Sequence, residues 1–218
     1  MKEIVLENQM PLILGLVALG LAPFLAVMVT SFAKLAISLS LVRNALGVQQ
    51  VPPNMVINGL AIIMSMYIMA PVAEDTLALL REQDFSLSDI RAGAEALGAA
   101  TVPLKGFLIK NSHDTERAFF LSAARRIWPA HKAEALQPDD LMVVVPAFTV
   151  SQITSGFKVG FLIYLPFLAV DILVSNILLA MGMNMLSPTT ISLPFKLLLL
   201  VMIDGWARLI HSLTLGYA

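Results

Sequence analysis

Among the residues able to do chemistry, the twelve methionines stand out, with Met64, Met66 and Met69 in one group and Met181, Met183 and Met185 in another. Thioethers are soft ligands suited to Cu(I), yet methionine is also an unbranched, adaptable filler of helix packing. For Met64, Met66 and Met69 packing is the preferred reading. The second group differs, because Gly182 and Asn184 alternate with the thioethers and Ser187-Pro188 follows. That composition marks a loop between helices, not a helix face. Flexible apolar side chains on such a loop, set beside a channel, could close around a passing chain and yield to it.

Catalytic arrangements find little support. Cysteine is absent, and His113, His131 and His211 are far apart with no HExxH helix, which disfavours a zinc site. Gly47, Gly59, Gly93, Gly98 and Gly106 lack the Gly-Lys-Ser/Thr ending of a phosphate-cradling loop. Asp139 and Asp140, between Pro138 and Leu141, read most simply as the acidic first turn of a helix. We therefore expect no catalytic residues, no metal site, no cofactor and no enzyme activity. A net charge of −1 gives no basis for binding nucleic acid.

Ionisable residues inside apolar stretches are a different matter, since each costs about 2.5–3.5 kcal/mol at a bilayer centre. Lys158, Asp171, Lys196 and Asp204 interrupt the apolar C-terminal third, with Arg208 beyond. Such placements suggest helices buried against other protein, where charges can pair. Asp171 could serve as a proton-relay or inter-subunit carboxylate, but a helix cap or a partner for Lys158 or Lys196 is the simpler role, and pairing is preferred. Arg43, with Asn44, precedes Ala45-Leu46-Gly47 and reads as a subunit contact or an interfacial anchor.

The elements that must position these residues are helical and membrane-associated. The chain has 218 residues, 58% hydrophobic and 13% charged, with a mean hydropathy of +0.82. Residues 10–29 are twenty uncharged positions, enough to cross about 30 Å of hydrocarbon. Pro23 is expected to kink them. Residues 55–73 form a second candidate span after a connection holding Arg43, Gly47, Pro52 and Pro53, giving a hairpin over 1–73. Residues 74–140 hold eight of the fourteen Lys/Arg and eleven of the fifteen Asp/Glu, which marks a small helical insert. Ser86 or Ser88 could cap it, Pro103 would sit near a first turn, and a helix should run from Asp114 towards Ile127. Leu77, Leu79, Leu80, Ile90, Leu97, Phe107, Phe119, Phe120, Leu121 and Trp128 offer a core that needs support from neighbours. Region 141–218 carries the methionine loop. Arg43 alone marks the first connection, and the positive-inside tendency puts it in the cytoplasm and the insert in the periplasm. Lys2 with Glu3 and Glu7 does not read as a secretory signal, so the N-terminus is expected to be retained.

Several strings together resemble one family, the core export-gate subunit of type III secretion systems, known as FliP in flagella and SctR in injectisomes. They are SFAKLAISLSLVRNALGVQQVPPNMVINGLAI (Ser31–Ile62), MAPV at Met69–Val72, and GFLIYLPFLAVDILVSNILLAMGMNMLSPTTISLPFKLLLLVMIDGW (Gly160–Trp206). The insert is similar only loosely. Because the chain starts almost at its first apolar segment, without the leader of many flagellar members, the injectisome branch is favoured.

The resemblance implies an all-α, non-enzymatic conduit for unfolded proteins in the bacterial inner membrane. It implies a homopentamer joined to the two other small export-apparatus subunits (SctS/FliQ-like and SctT/FliR-like) and to a larger export-gate subunit. These would form a helical cone lifted largely out of the bilayer towards the periplasm. It further implies a methionine gasket in the bore, which by position falls on Met183, Asn184 and Met185. Two departures are visible. Asn184 interrupts what is often a run of three methionines, and Gln152, within Ser151-Gln152-Ile153, stands where many relatives carry Glu. Two readings outside this family stay open on the residues alone: a solute or copper transporter, and an adaptor without a bore.

Overall fold

The computed structural model describes residues 16–17, 20–21, 23–48, 51–82, 90–183 and 185–218, with side chains at 82 and 90–97 left aside. All regular structure among the described residues is helical. We number the helices α1 (Pro23–Val29), α2 (Phe32–Ala45), α3 (Asn54–Glu82), α4 (Ile90–Lys110), α5 (Asp114–Ile127), α6 (Ala130–Ala133), α7 (Leu141–Ala180), α8 (Pro188–Met202) and α9 (Gly205–Leu215).

The chain turns sharply where α1 meets α2, at 78° across Thr30 and Ser31, several residues beyond Pro23. The Thr30 hydroxyl donates back to the Ala26 carbonyl at 2.6 Å, a bond that bends helices. Ser31, fully buried, donates to Ser65 on α3 at 3.1 Å. α3 is longer than the 55–73 expected: its apolar part merges into Glu74–Glu82 without a breaker. Pro71 is carried inside it, as Pro146 and Pro166 are carried inside α7. Pro103 likewise lies well inside α4, not near a first turn. The sequence marks proline as a breaker, but one lost backbone bond is tolerated when packing holds the helix on both sides.

α2 is the centre of the packing. Leu35, Leu39 and Val42 meet Ile57, Ala61 and Met64 of α3 and Leu209 and Leu213 of α9. At the far end of α2, Ala45 and Leu46 meet Phe167 of α7 and Leu200 of α8. α7 comes unusually close to α2 through Gly156 and Gly160. A Cβ on Gly160 would stand 2.4 Å from Leu41 Cδ1 and 2.7 Å from its Cβ, and one on Gly156 would stand 3.1 Å from the Lys34 carbonyl. Small residues four apart let helix backbones approach in this way, and Ser38 donates to the Gly156 carbonyl at 3.1 Å.

The insert's core is smaller than the sequence suggests. Leu77, Phe119 and Trp128 are exposed, at 53%, 59% and 37%. Leu108 is instead buried with Val144 and Phe148 of α7, flanked by Leu104 and Phe107. The insert leans on the start of α7. The expected roles of Ser86 and Ser88 fall outside the described residues, as do the side chains of Ile90 and Leu97.

Among the described residues two helices are long and apolar enough to cross a membrane, Asn54–Arg81 and Leu141–Ala180, or three spans if the bent α1–α2 pair counts as one. The forty residues of α7 run about 60 Å, twice a hydrocarbon core. Much of α7 is also bare: Phe157, Phe161, Leu162, Ile172, Leu173 and Ile177 are all more than half exposed. Apolar surface on this scale belongs against lipid or other protein. This is a membrane protein.

Candidate functional site

The methionine loop begins at the C-terminus of α7, whose ending fixes its direction. Gly182 takes the left-handed conformation at φ 72. Its N–H donates to the Leu179 carbonyl at 3.0 Å, and the Met183 N–H reaches back to Leu178 at 2.9 Å. This pair of bonds is a Schellman cap, in which glycine avoids the steric penalty that any Cβ meets at positive φ. Ser187 then precedes Pro188 at the first position of α8, where a missing N–H costs nothing. The loop is thus pinned at both ends. Between them Met181, Met183 and Met185 are 61%, 41% and 99% exposed. Asn184 lies outside the described residues. Met64, in contrast, is buried against α2 as packing filler, whereas Met66 is exposed.

α7 and α8 are tied together by charge. Lys196 Nζ lies 2.6 Å from Asp171 Oδ2, with the lysine side chain 5% exposed and the carboxylate 22%. The ammonium also donates to the Ala45 carbonyl at the end of α2, at 3.2 Å. Ser192 donates to the other carboxylate oxygen at 2.5 Å. Three helices therefore share one satisfied ionic node, and Lys158 is not part of it. Ser192 was not marked by the sequence, although its place one turn before Lys196 on α8 puts both on one face.

The remaining candidates are separate. Arg43 donates to the Pro52 carbonyl at 3.3 Å and to Asn54 Oδ1 at 2.5 Å, holding the connection between α2 and α3. Asp204 is left-handed at φ 50, its carboxylate makes no cap bond, and its carbonyl accepts from Arg208 N–H at 3.0 Å. Lys158 is exposed beside the corner between α4 and α5. Asp139 and Asp140 precede α7 instead of forming its first turn. Asp140 accepts from the Gln137 N–H at 2.7 Å, and Asp139 pairs with Lys105 at 2.7 Å. The Lys105 ammonium holds the Asp139 carboxyl below its usual range. Among the described residues no cluster of three His, Asp or Glu side chains is placed to hold a metal.

A second polar node was invisible in the sequence. Gln152 is buried on α7, its amide nitrogen donating to the Asn111 carbonyl at 2.8 Å and its oxygen accepting from the Tyr217 hydroxyl at 2.5 Å. Burial pushes the Tyr217 hydroxyl well above its usual range, so it stays protonated and donates. The tyrosine ring stacks on Phe107 at 6.0 Å, and the Lys34 ammonium sits 4.2 Å from its centroid. An amide serves here where a carboxylate could not donate to Asn111.

The described strings, loop and node sit in a chain whose residues 15–213 match the FliP family. The chain belongs to the FliP family. It is 49% identical over 212 residues to the Yop proteins translocation protein R of Yersinia pestis, covering 97% of this chain and 98% of the relative. It is 45% identical over 208 residues to the hypersensitivity response secretion protein HrcR of Ralstonia nicotianae, covering 94% and 96%. It is 46% identical over 213 residues to the virulence protein YscR of Salmonella typhimurium, covering 94% and 97%. The FliP match spans both apolar regions and the insert between them, and these three relatives are named for secretion, translocation or virulence. The family match thus takes in the methionine loop, the Asp171–Lys196 node and Gln152, and stops short of Tyr217.

Proposed function

We propose that this FliP-family chain is the pore-forming structural subunit of a type III secretion export gate, conducting unfolded proteins across the bacterial inner membrane. The observation that carries the gating role is a fully exposed Met185 on the connection between the Gly182 cap of α7 and the Pro188 start of α8. Met183, Asn184 and Met185 form the constriction, with thioethers sealing around cargo of any sequence because they are apolar, polarizable and adaptable. Asp171 and Lys196 set the angle of the two helices that carry it.

The exposed faces of α8 and of the C-terminal part of α7, at Ile172, Leu173 and Ile177, are covered by further copies, in a pentamer, and by the SctS/FliQ-like and SctT/FliR-like subunits. A larger export-gate subunit stands beside them. Region 1–73 supplies the first hairpin, 74–140 a periplasmic insert and 141–218 the gate, with the assembly protruding into the periplasm. The chain carries no catalytic step and binds no nucleic acid. The relatives' names favour this reading over a copper or solute transporter. The injectisome branch is preferred for the same reason.

Replacing Met183 and Met185 together by alanine tests it. The assembled complex should still form, but cells should leak ions and small metabolites through the widened constriction. A closed membrane with unchanged secretion would remove the gasket role.

A further inference from the structure

Lys158 is the only charge between Leu141 and Val170, and it points outward. Phe161, Leu162 and Leu165 follow at helical spacings of three, four and seven, so they share its face of α7, and they are 60%, 65% and 41% exposed. The 22 residues from Val159 to Ala180 span about 33 Å, close to a hydrocarbon thickness. Their single charge, Asp171, is paired with Lys196. On the other side of Lys158, α7 is packed against the insert through Val144, Phe148, Ser151 and Gln152. Lys158 therefore marks a boundary between a membrane-length apolar stretch and a polar surface.

At that boundary lies a cleft of about 630 Å³ lined by Lys158, Lys110, Arg117, His113, Asp114 and Thr115 among others. Its walls carry three fixed cations against one carboxylate. Asp114 is spent on Arg117, and Arg117 also donates to the Ile109 carbonyl and Ser112. Lys110 and Lys158 are exposed and make no ion pair among the described residues. The N-terminus of α5 opens on the same cleft without a side-chain cap, adding orphan N–H donors and the positive end of the helix dipole.

We propose that this cleft holds the phosphate of an anionic phospholipid, whose acyl chains lie along Phe161, Leu162 and Leu165. Lys158 and the bare apolar ridge share one face of α7, with Lys110 of α4 and Arg117 of α5 across the cleft from it, an arrangement that matches a headgroup joined to its chains. A carboxylate from a protein partner would call for the cations alone. The inference rests on the membrane character of α7 and is independent of the gating role.

The test is lipid retention by the purified full chain, read by native mass spectrometry after exchange into detergent with phosphatidylglycerol or phosphatidylcholine. Wild type should keep phosphatidylglycerol in preference to phosphatidylcholine. Lys110→Gln with Lys158→Gln should lower that retention about thirtyfold, given the attraction of each surface cation for anionic lipid. Lys110→Arg with Lys158→Arg should preserve it and shows that loss is not misfolding. Lys105→Gln, removing a cation already paired with Asp139, should change nothing. Equal retention of both lipids, or no loss in the double glutamine variant, overturns the proposal. So does full displacement of phosphatidylglycerol by millimolar inorganic phosphate, which would make this a free-anion site. Loss of subunit association with lipid retention unchanged would reassign the cleft to an acidic protein partner.

Discussion

Lys196 shows how much a single side chain can carry in a membrane helix. Its side chain is 5% exposed and its ammonium is satisfied by Asp171 and the Ala45 carbonyl, so removing one charge strands the other in a poorly hydrated site. Lys196→Met should destabilise the folded chain by about 3–5 kcal/mol. The double variant with Asp171→Asn should recover much of that loss, since it removes the uncompensated charge. Thermal unfolding of detergent-solubilised protein, followed by size-exclusion chromatography, reads both; equal loss in the single and double variants would contradict the pairing. Asp139 responds differently because its side chain is 58% exposed. Its carboxyl is held down by Lys105, so its contribution is present above the ordinary carboxylate value and lost as pH falls through the lowered one. Asp139→Asn should therefore lower stability slightly at neutral pH and match wild type once the pH is below the lowered carboxyl value, so that the variant loses less on acidification. A pH series of melting temperatures checks the sign.

At the scale of elements, two glycines decide geometry that apolar composition leaves open. Gly182 ends α7 in the left-handed conformation, and a Cβ there costs about 1–2 kcal/mol. Gly182→Ala should loosen the Schellman cap and misdirect Met183 and Met185. Cells carrying it should leak, although the α2–α7 packing is intact; a tight membrane would mean that the cap does not aim the loop. Gly160 brings α7 against Leu41 with no room for a Cβ. Gly160→Ala should cost about 1–3 kcal/mol as an overpacked contact, and Leu41→Ala in the same chain should restore part of it. Gly106→Ala, with nothing within 4 Å of the added carbon, is the matched control and should be neutral or stabilising. Comparing the melting temperatures of these variants separates close packing from helix propensity.

Over the whole molecule, the folded core is narrow for the apolar content of the chain. α2 is surrounded by α3, α7 and α9, whereas the outer faces of α3, α7 and α8 stay bare. A helix near 60 Å long cannot be a plain span of a 30 Å core. One part of α7 packs on the insert, and the membrane-length remainder delivers the methionine loop at its end. The single chain has the form of a part, with its uncovered surface shaped for lipid and for neighbours.

Composition and patterning alone determined that this is a helical membrane protein, that a break follows the helix ending at Ala180, and that a charge such as Asp171 calls for a partner, found in Lys196. Each follows from local chemistry: the cost of polar groups in hydrocarbon, the meaning of Gly and Ser-Pro, the length of apolar runs. The extent of α3, the placement of Pro103 inside α4 and the choice of Lys196 over Lys158 for Asp171 came only with the tertiary structure. So did the meeting of Lys34, Gln152 and Tyr217. Gly156 and Gly160 have the spacing of a close-packing pair, but only the fold shows them set against Lys34, Ile37 and Leu41 of α2. These features depend on which faces of distant helices come together, and no local periodicity carries that, because a charge or a glycine chooses its neighbour in space and not along the chain.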